Sequence, residues 1–396
     1  MISYPLASTS WDEAELHAIQ QVTNSGMYMI GMHVRLFEEA FAEYMGSSYA
    51  VMVNSGSSAN LLAVAALFYR SHKPFQIHQH EEVIVPAVSW STTYFPLYQY
   101  GMKLKFVDID LNTLNYDLNA LEQAISDKTR LVVCANLLGN PNDFGAIQAM
   151  IGNRDIVMIE DNCESMGALY NHKQAGTFGL MGTYSTFFSH HISTMEGGLI
   201  VTDDEELYHI LLSLRSHGWT RNLPKHNLVT GNKSDNAFEE SFRFVLPGYN
   251  VRPLEMSGAV GIEQLKKLPA FLKARRDNAL YFQDKFHDHP CFMIQQEIGQ
   301  SSWFGFSLVL KPGTGISRGD VIAELEAHQI ECRPIVAGNF TKNEVVRWFQ
   351  YEIQDTLKNA DWVDQHGLFV GNHHYPIQPQ INQLYECLKP FAKCLT

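Results

Sequence analysis

An α/β fold is what this sequence predicts, and three observations predict it. Short apolar runs at residues 50–53, 83–86, 131–134 and 155–161 are too brief for helices and read as buried strands. Segments with apolar residues at helical spacing alternate with those runs, as strand–helix repeats require. The 396 residues exceed what one hydrophobic core usually holds, so two domains are expected.

Composition narrows the class further. Hydrophobic content of 45% with 18% charged residues fits a compact enzyme. With 42 acidic against 29 basic residues the formal charge is −13, which argues against nucleic acid or an anionic membrane as partner. A phosphate can still be held locally by free N–H groups at a helix start. No apolar run approaches the roughly 20 residues of a membrane span, and residues 1–7 lack the pattern of a secretory leader. The cysteines (Cys134, Cys163, Cys291, Cys332, Cys387, Cys394) are scattered without metal-ligand spacing, so reduced thiols and no metal or iron–sulfur site are expected.

Taken in order, Ser10-Trp11-Asp12-Glu13 has the form of a capping box opening a helix to about Val22. A second helix is expected over 33–45, stopped by Gly46. Strand 50–53 runs into Asn54-Ser55-Gly56-Ser57-Ser58 and an apolar helix. That order presents N–H groups to a phosphate, with Gly56 permitting close approach; it is equally the form of an ordinary helix N-cap. Trp90 stands just past strand 83–86. Strand 104–108 and a helix starting at Asp117 follow, and the loop after strand 131–134 carries Gly139 and Pro141.

Strand 155–161 ends in Glu160 and Asp161, which alternation turns to opposite faces. Next come a strand over 184–188, a polar turn with His190 and His191, and Glu196-Gly197-Gly198 before strand 199–202. Strand ends are where α/β proteins place their chemistry. A helix from Asp203 to about Arg215 leads to His217, which either closes that helix or reaches a site. Residues 220–244 read as a polar loop or lid, and Asn250 and Arg252 follow it. A long helix with Ile262, Leu265, Leu268 and Leu272 bridges to a part holding strand 304–310 and helix 318–328. Glu331 and Arg333 share one side of an alternating strand, as a solvent ion pair or as ligand contacts.

Gly56-Ser57, Trp90, Asp161, Ser185 with Glu196-Gly197-Gly198, and Asn250, in this order, resemble the pyridoxal-phosphate sugar aminotransferases of the DegT/DnrJ/EryC1/StrS family over nearly the whole chain. In that family a serine, four residues, the Schiff-base lysine, five residues and Glu-Gly-Gly form the signature. Here His190 holds the lysine position, and no lysine lies between Lys173 and Lys225.

The resemblance implies a type I aminotransferase fold. Residues 1–255 would form a large domain with a mostly parallel seven-stranded sheet, and residues 256–396 a smaller C-terminal α/β domain. It implies that Gly56 and Ser57 cradle the cofactor phosphate, that Trp90 stacks on the pyridine ring and that Asp161 pairs with the ring nitrogen. Ser185 is implied as a further cofactor contact. Asn250 and Arg252 are implied to act across the interface of a homodimer, and His217, Arg252, Glu331 and Arg333 are candidates for substrate contact.

His190 decides the expected reaction. An imidazole cannot make the covalent link that a lysine makes, but it can move protons, with an ordinary pKa near about 6.5. Lysine-to-histidine members of the family are of two kinds. One needs a cysteine cluster, which is not visible here. The other is metal-free and restores its pyridoxamine phosphate with glutamate, and the runs 187–198, 214–225 and 246–259 resemble it. This implies removal of the C3 hydroxyl of GDP-4-keto-6-deoxymannose, with L-glutamate as amino donor, in the cytoplasm on an O-antigen sugar route. Two alternatives stand beside it. A nucleotide-sugar 4-aminotransferase should have lysine at position 190. A non-catalytic sugar-nucleotide binder has no use for Trp90, Asp161 and Ser185 as a set.

Overall fold

The structure, a computed structural model, describes residues 3–71 and 76–393. Cys394 and residues 1–2 lie outside them, and among the described residues Cys134, Cys163, Cys332 and Cys387 form no disulfide.

The central sheet has the order Tyr49–Val53, Gly198–Thr202, Met181–Ser185, Val157–Asp161, Thr129–Ala135, Glu82–Pro86, Lys103–Val107 and Tyr351–Ile353. Gly198–Thr202 runs antiparallel to both neighbours, and every other pairing is parallel. Seven strands come from residues 49–202, as expected; the eighth returns from the C-terminal part and adds to the far edge. Helices cover both faces, so the strands are apolar without alternation. Helix Gly56–Tyr69 is buried along most of its length, because it is wedged between the sheet and helices Ser91–Gln99 and Glu205–Leu214.

A second sheet, all antiparallel, has the order Phe292–Met293, Gly305–Leu310, Gly367–Gly371 and Cys332–Arg333. Helix Glu255–Phe286 joins the two parts. Its first half packs on helices Glu13–Ser25 and Met32–Met45, and Ala279, Phe282 and Phe286 enter the C-terminal core. The expected join at 255/256 falls in this helix's first turn, and Tyr4 bridges to Ile330 from the other end of the chain.

Three local expectations are corrected. The first helix is capped by Asp12 with Glu15, one residue pair later than expected, because the Ser10 hydroxyl donates instead to Gln264 Oε1 at 2.6 Å. The strand expected over 184–188 ends at Ser185, where the serine Oγ accepts the Phe187 amide at 3.2 Å and turns the chain out of the ladder. Residues 220–244 are more than a loop: they hold the short ladder His226–Asn227 with Gly231–Asn232 and the helical turn Ala237–Glu240.

Helix Met32–Met45 begins at Gly31, which offers no side-chain cap. The carboxylate of Glu255, 3% exposed, takes that role from the far helix. It accepts the amides of Gly31 at 2.7 Å, His33 at 2.6 Å and Val34 at 3.3 Å. Glu255→Ala leaves these buried donors unpaired and is expected to cost about 2–3 kcal/mol, while Glu255→Gln, which keeps an acceptor oxygen, costs less. Thermal unfolding of the two variants checks the order.

Candidate active site

The C-terminal ends of the central strands open on a cavity of about 660 Å³. Its floor is the turn from strand Tyr49–Val53 into helix Gly56–Tyr69. Ser55 caps that helix, accepting the Ser58 amide at 3.1 Å, so the first-turn N–H groups face the cavity. A Cβ at Gly56 would meet Ser185 Cβ at 2.6 Å and Cys163 Sγ at 3.0 Å, which only glycine avoids. Gly198 answers it from the next strand: a Cβ there would sit 2.3 Å from the Ser55 carbonyl oxygen. The Glu196-Gly197-Gly198 run is therefore a close-packing device that lets two strand ends and a helix start meet. Ser57 Oγ lies 3.0 Å from Thr92 Oγ1, so two hydroxyls stand beside the helix start.

Trp90 forms one wall with 57% of its surface exposed. Among the described residues no other ring packs on it, so its face is free for a planar ligand. Among the described residues no cation pairs with Asp161, which is held by neutral donors: Asn60 Nδ2 at 2.8 Å, Thr93 Oγ1 at 2.7 Å and the Cys163 amide at 3.1 Å. Thr183 Oγ1 in turn donates to Asn60 Oδ1 at 2.5 Å. Glu160 points the other way, into the amides of Gly176, Phe178 and Gly179; burial pushes it up to about 7 against those bonds. The alternation that separated the pair in sequence holds.

His190 reaches the cavity and His191 does not. The His190 ring meets Phe304 edge-on at 5.2 Å and Phe187 at 6.0 Å, and its Nδ1 is 3.4 Å from Ser189 Oγ. Burial, then the Arg275 charge, pushes its pKa down to about 4. His191 is fully buried behind it, with Nε2 3.2 Å from the Ser302 carbonyl oxygen. Among the described residues no lysine lines the cavity.

The remaining candidates divide. Arg333 lines the cavity, with its guanidinium bonded only to its own Cys332 carbonyl. Glu331 does not line it; its carboxylate accepts the Leu6 amide at 2.9 Å. The strand there spans only Cys332–Arg333, too short for alternation to carry Glu331 to the same face, and the two form no ion pair. His217, Asn250 and Arg252 do not line their own chain's cavity, although the Val251 carbonyl accepts the Asn54 amide at 3.0 Å, beside the floor turn. His217 adopts φ 62° in a turn and stacks on Trp219 at 4.8 Å, and Arg252 Nε donates to Asn250 Oδ1 at 3.0 Å.

Sequence reasoning did not assign Asn60, Thr93, Glu164 or Phe304. The first two lie inside segments singled out for other residues, and only the fold aims them at Asp161. Glu164 lines the cavity near Asp161 and is pushed up to about 7, chiefly by burial.

The donor set fits pyridoxal phosphate. An N–H-rich helix start cleared by Gly56 suits a phosphate, a free indole face suits the ring, and a carboxylate without a cation suits a protonated ring nitrogen. Comparison with known proteins agrees. The chain is 60% identical over 390 residues to GDP-4-keto-6-deoxy-D-mannose 3-dehydratase of Escherichia coli O55:H7, covering 98% of this chain and 100% of that protein. It is also 60% identical to the enzyme of that name from Yersinia pseudotuberculosis, over 98% of this chain and 99% of that one. A solved structure of the E. coli enzyme with bound hydrated PLP superposes with a TM-score of 0.96 at 60% identity, covering 98% of this chain and 100% of that one. Residues 9–388 match one family description over nearly the whole chain, and the protein belongs to the DegT/DnrJ/EryC1/StrS aminotransferase family.

Proposed function

We propose that this protein is an enzyme that removes the C3 hydroxyl of GDP-4-keto-6-deoxy-D-mannose, giving GDP-4-keto-3,6-dideoxy-D-mannose. Pyridoxamine phosphate is its cofactor, restored by glutamate with release of 2-oxoglutarate, and ammonia leaves with the product. One observation carries this reading: the cavity of an aminotransferase presents His190 and no lysine.

When bound, the cofactor supplies an electron sink next to the reacting sugar carbon. Gly56 and Ser57 hold its phosphate, Trp90 covers the ring face, Ser185 borders it, and Asp161 keeps a proton on the ring nitrogen. His190 does the proton work. Pushed down to about 4, it is neutral at working pH and can accept a proton, then give it to the departing hydroxyl. No amine stands ready to reprotonate the sugar carbon, so the hydroxyl leaves and an amino sugar is not made. Arg333, on the wall away from the helix start, is the residue we assign to the substrate.

We assign the working form to a homodimer in which Asn250 and Arg252 enter the partner's cavity. Their absence from the lining of their own cavity supports this, as do the exposed Met27, Tyr28, Met29 and Met32. Residues 1–255 and 256–396 are the two domains we assign. We place the enzyme in the cytoplasm with its nucleotide-linked substrate; among the described residues no helix is long and apolar enough to cross a membrane.

Incubation with pyridoxal phosphate, glutamate and GDP-4-keto-6-deoxymannose should yield a 3-deoxy ketosugar, ammonia and 2-oxoglutarate. A 4-amino sugar as product would sink the reading. His190→Asn should lower ammonia release by about 10²- to 10⁴-fold, the usual worth of a positioned acid–base group, with little change in cofactor affinity measured by absorbance. Inactive His190→Asn and Arg252→Ala chains, mixed and re-assembled, should regain about a quarter of the wild-type sites, since only mixed dimers hold one intact cavity. No recovery on mixing would place Arg252 in its own chain's site.

A further inference from the structure

Both imidazoles of the His190–His191 pair rest on residues 302–304. Phe304 meets His190 at 5.2 Å and His191 at 5.9 Å, and the Ser302 carbonyl faces His191 Nε2 at 3.2 Å. Between them Trp303, 2% exposed, adopts φ 50°, a left-handed conformation that a bulky residue holds only when its surroundings force it.

The amides of Ser302 and Phe304 are held by the carbonyls of Gly139 and Leu138, and on the carbonyl side the segment is held by Arg275, on helix Glu255–Phe286. Its Nη1 donates to the carbonyls of Trp303 at 3.4 Å, Phe304 at 3.2 Å and Asn372 at 2.9 Å. Asn372 closes the loop, donating Nδ2 to the Trp303 carbonyl at 2.9 Å and to that of Arg275 at 3.1 Å. Arg275 is 5% exposed, yet among the described residues it has no carboxylate partner, and its Nε has no acceptor at all. A buried, unpaired guanidinium weakens a fold relative to an apolar residue of its size. Its presence against a catalytic wall calls for a use.

We propose that Arg275 is a positioning residue for His190. Its bonds to the Trp303 and Phe304 carbonyls hold the wall against which the ring rests, and its charge adds to burial in keeping that ring in the neutral, proton-accepting form. The proposal rests on His190 being the base of the reaction. His190, His191, His373 and His374 all feel this one cation, after burial, as a force against protonation. Other charges face His190 from the cavity walls: the carboxylates of Asp161, Glu164 and Glu196, which pull the other way, and Arg333. Among the described residues none of them pairs with His190. On the buried side Arg276 is engaged with the carbonyls of Ser301 and Gly167. Burial is the larger force against protonation of His190, and Arg275 is the charge that adds to it.

The test is a titration of the apo protein by NMR of labelled histidine, with His190→Asn assigning the resonance. Wild-type His190 should stay neutral down to about pH 5. In Arg275→Met its midpoint should move toward the ordinary value near about 6.5. The acid limb of 2-oxoglutarate formation in the glutamate half-reaction should move up with it. Arg275→Lys keeps the charge but cannot span three carbonyls, so its midpoint should stay low while the plateau rate falls about tenfold. A wild-type midpoint near 6.5 overturns the proposal, as does an unmoved acid limb in folded Arg275→Met or an unchanged plateau in Arg275→Lys. If Arg275→Met does not fold by near-ultraviolet circular dichroism, the wild-type and lysine results decide. The apo titration needs no substrate, so it stands or falls apart from the sugar assignment.

Discussion

The buried carboxylate of Asp161 is the point from which the rest of the site is built. It sits at the end of the middle strand Val157–Asp161, 8% exposed, and is satisfied by neutral donors: the side chains of Asn60 and Thr93 and the Cys163 amide. Asn60 comes from the helix that starts at Gly56, Thr93 from the helix that starts after Trp90, and Thr183 steadies Asn60 from the neighbouring strand. A cation in their place would spend the charge inside the protein. Hydroxyl and amide donors keep it available for a ring nitrogen while meeting the rule that buried acceptors be paired. The same bonds fix where the two helices begin. The helix start at Gly56 and the helix that follows Trp90 are therefore both tied to the carboxylate proposed to face the ring between them.

Closeness is the second constraint. The helix start, strand end Ser185 and strand start Gly198 converge so tightly that a single Cβ at Gly56 or Gly198 would overlap a neighbour. This crowding explains the two glycines of the Glu-Gly-Gly run, whose glutamate, Glu196, lines the cavity. It also accounts for the strand order: Gly198–Thr202, the only antiparallel strand of its sheet among the described residues, is inserted between Tyr49–Val53 and Met181–Ser185. That insertion brings its first glycine under the cofactor turn.

How much of this could be read from the chain follows the range of the physics. Strands, helix starts and the opposed directions of Glu160 and Asp161 are set by neighbours in sequence, and they were legible. So were Gly56, Trp90, Asp161 and His190, because each sits at a strand end, where α/β chemistry gathers. The failures were long-range or short-element effects. Ser10 lost its capping role to Gln264, 254 residues away, and Glu331 lost its expected face because the strand is two residues long. Arg275 and Phe304 carry no local mark, since only tertiary packing brings a helix charge and a strand-end ring against residue 190. Asn250, Arg252 and His217 do not line the cavity of their own chain, and the assignment of Asn250 and Arg252 to a second copy's cavity is a proposal that one chain's sequence does not reach.

The exchange of an amine for an imidazole changes the outcome through reach and acidity together. A lysine swings one amine on a four-carbon stem and can carry a proton between two carbons. The His190 ring has two rotatable bonds and is stopped edge-on by Phe304, so a proton taken in one place is returned close by. Its pKa matters equally. An imidazole pushed down to about 4 is almost wholly in its base form at neutral pH, and once protonated it is a far stronger acid than an ordinary histidine. That combination suits a group that must collect a proton from carbon and at once surrender it to a departing hydroxyl, the harder of the two groups to expel. A lysine amine in the same dry cavity would hold its proton more firmly and deliver it to carbon, the path to an amino sugar. In the proposed mechanism the choice between two reactions that share one fold and one cofactor thus falls to the group at position 190 and the ring that limits its reach.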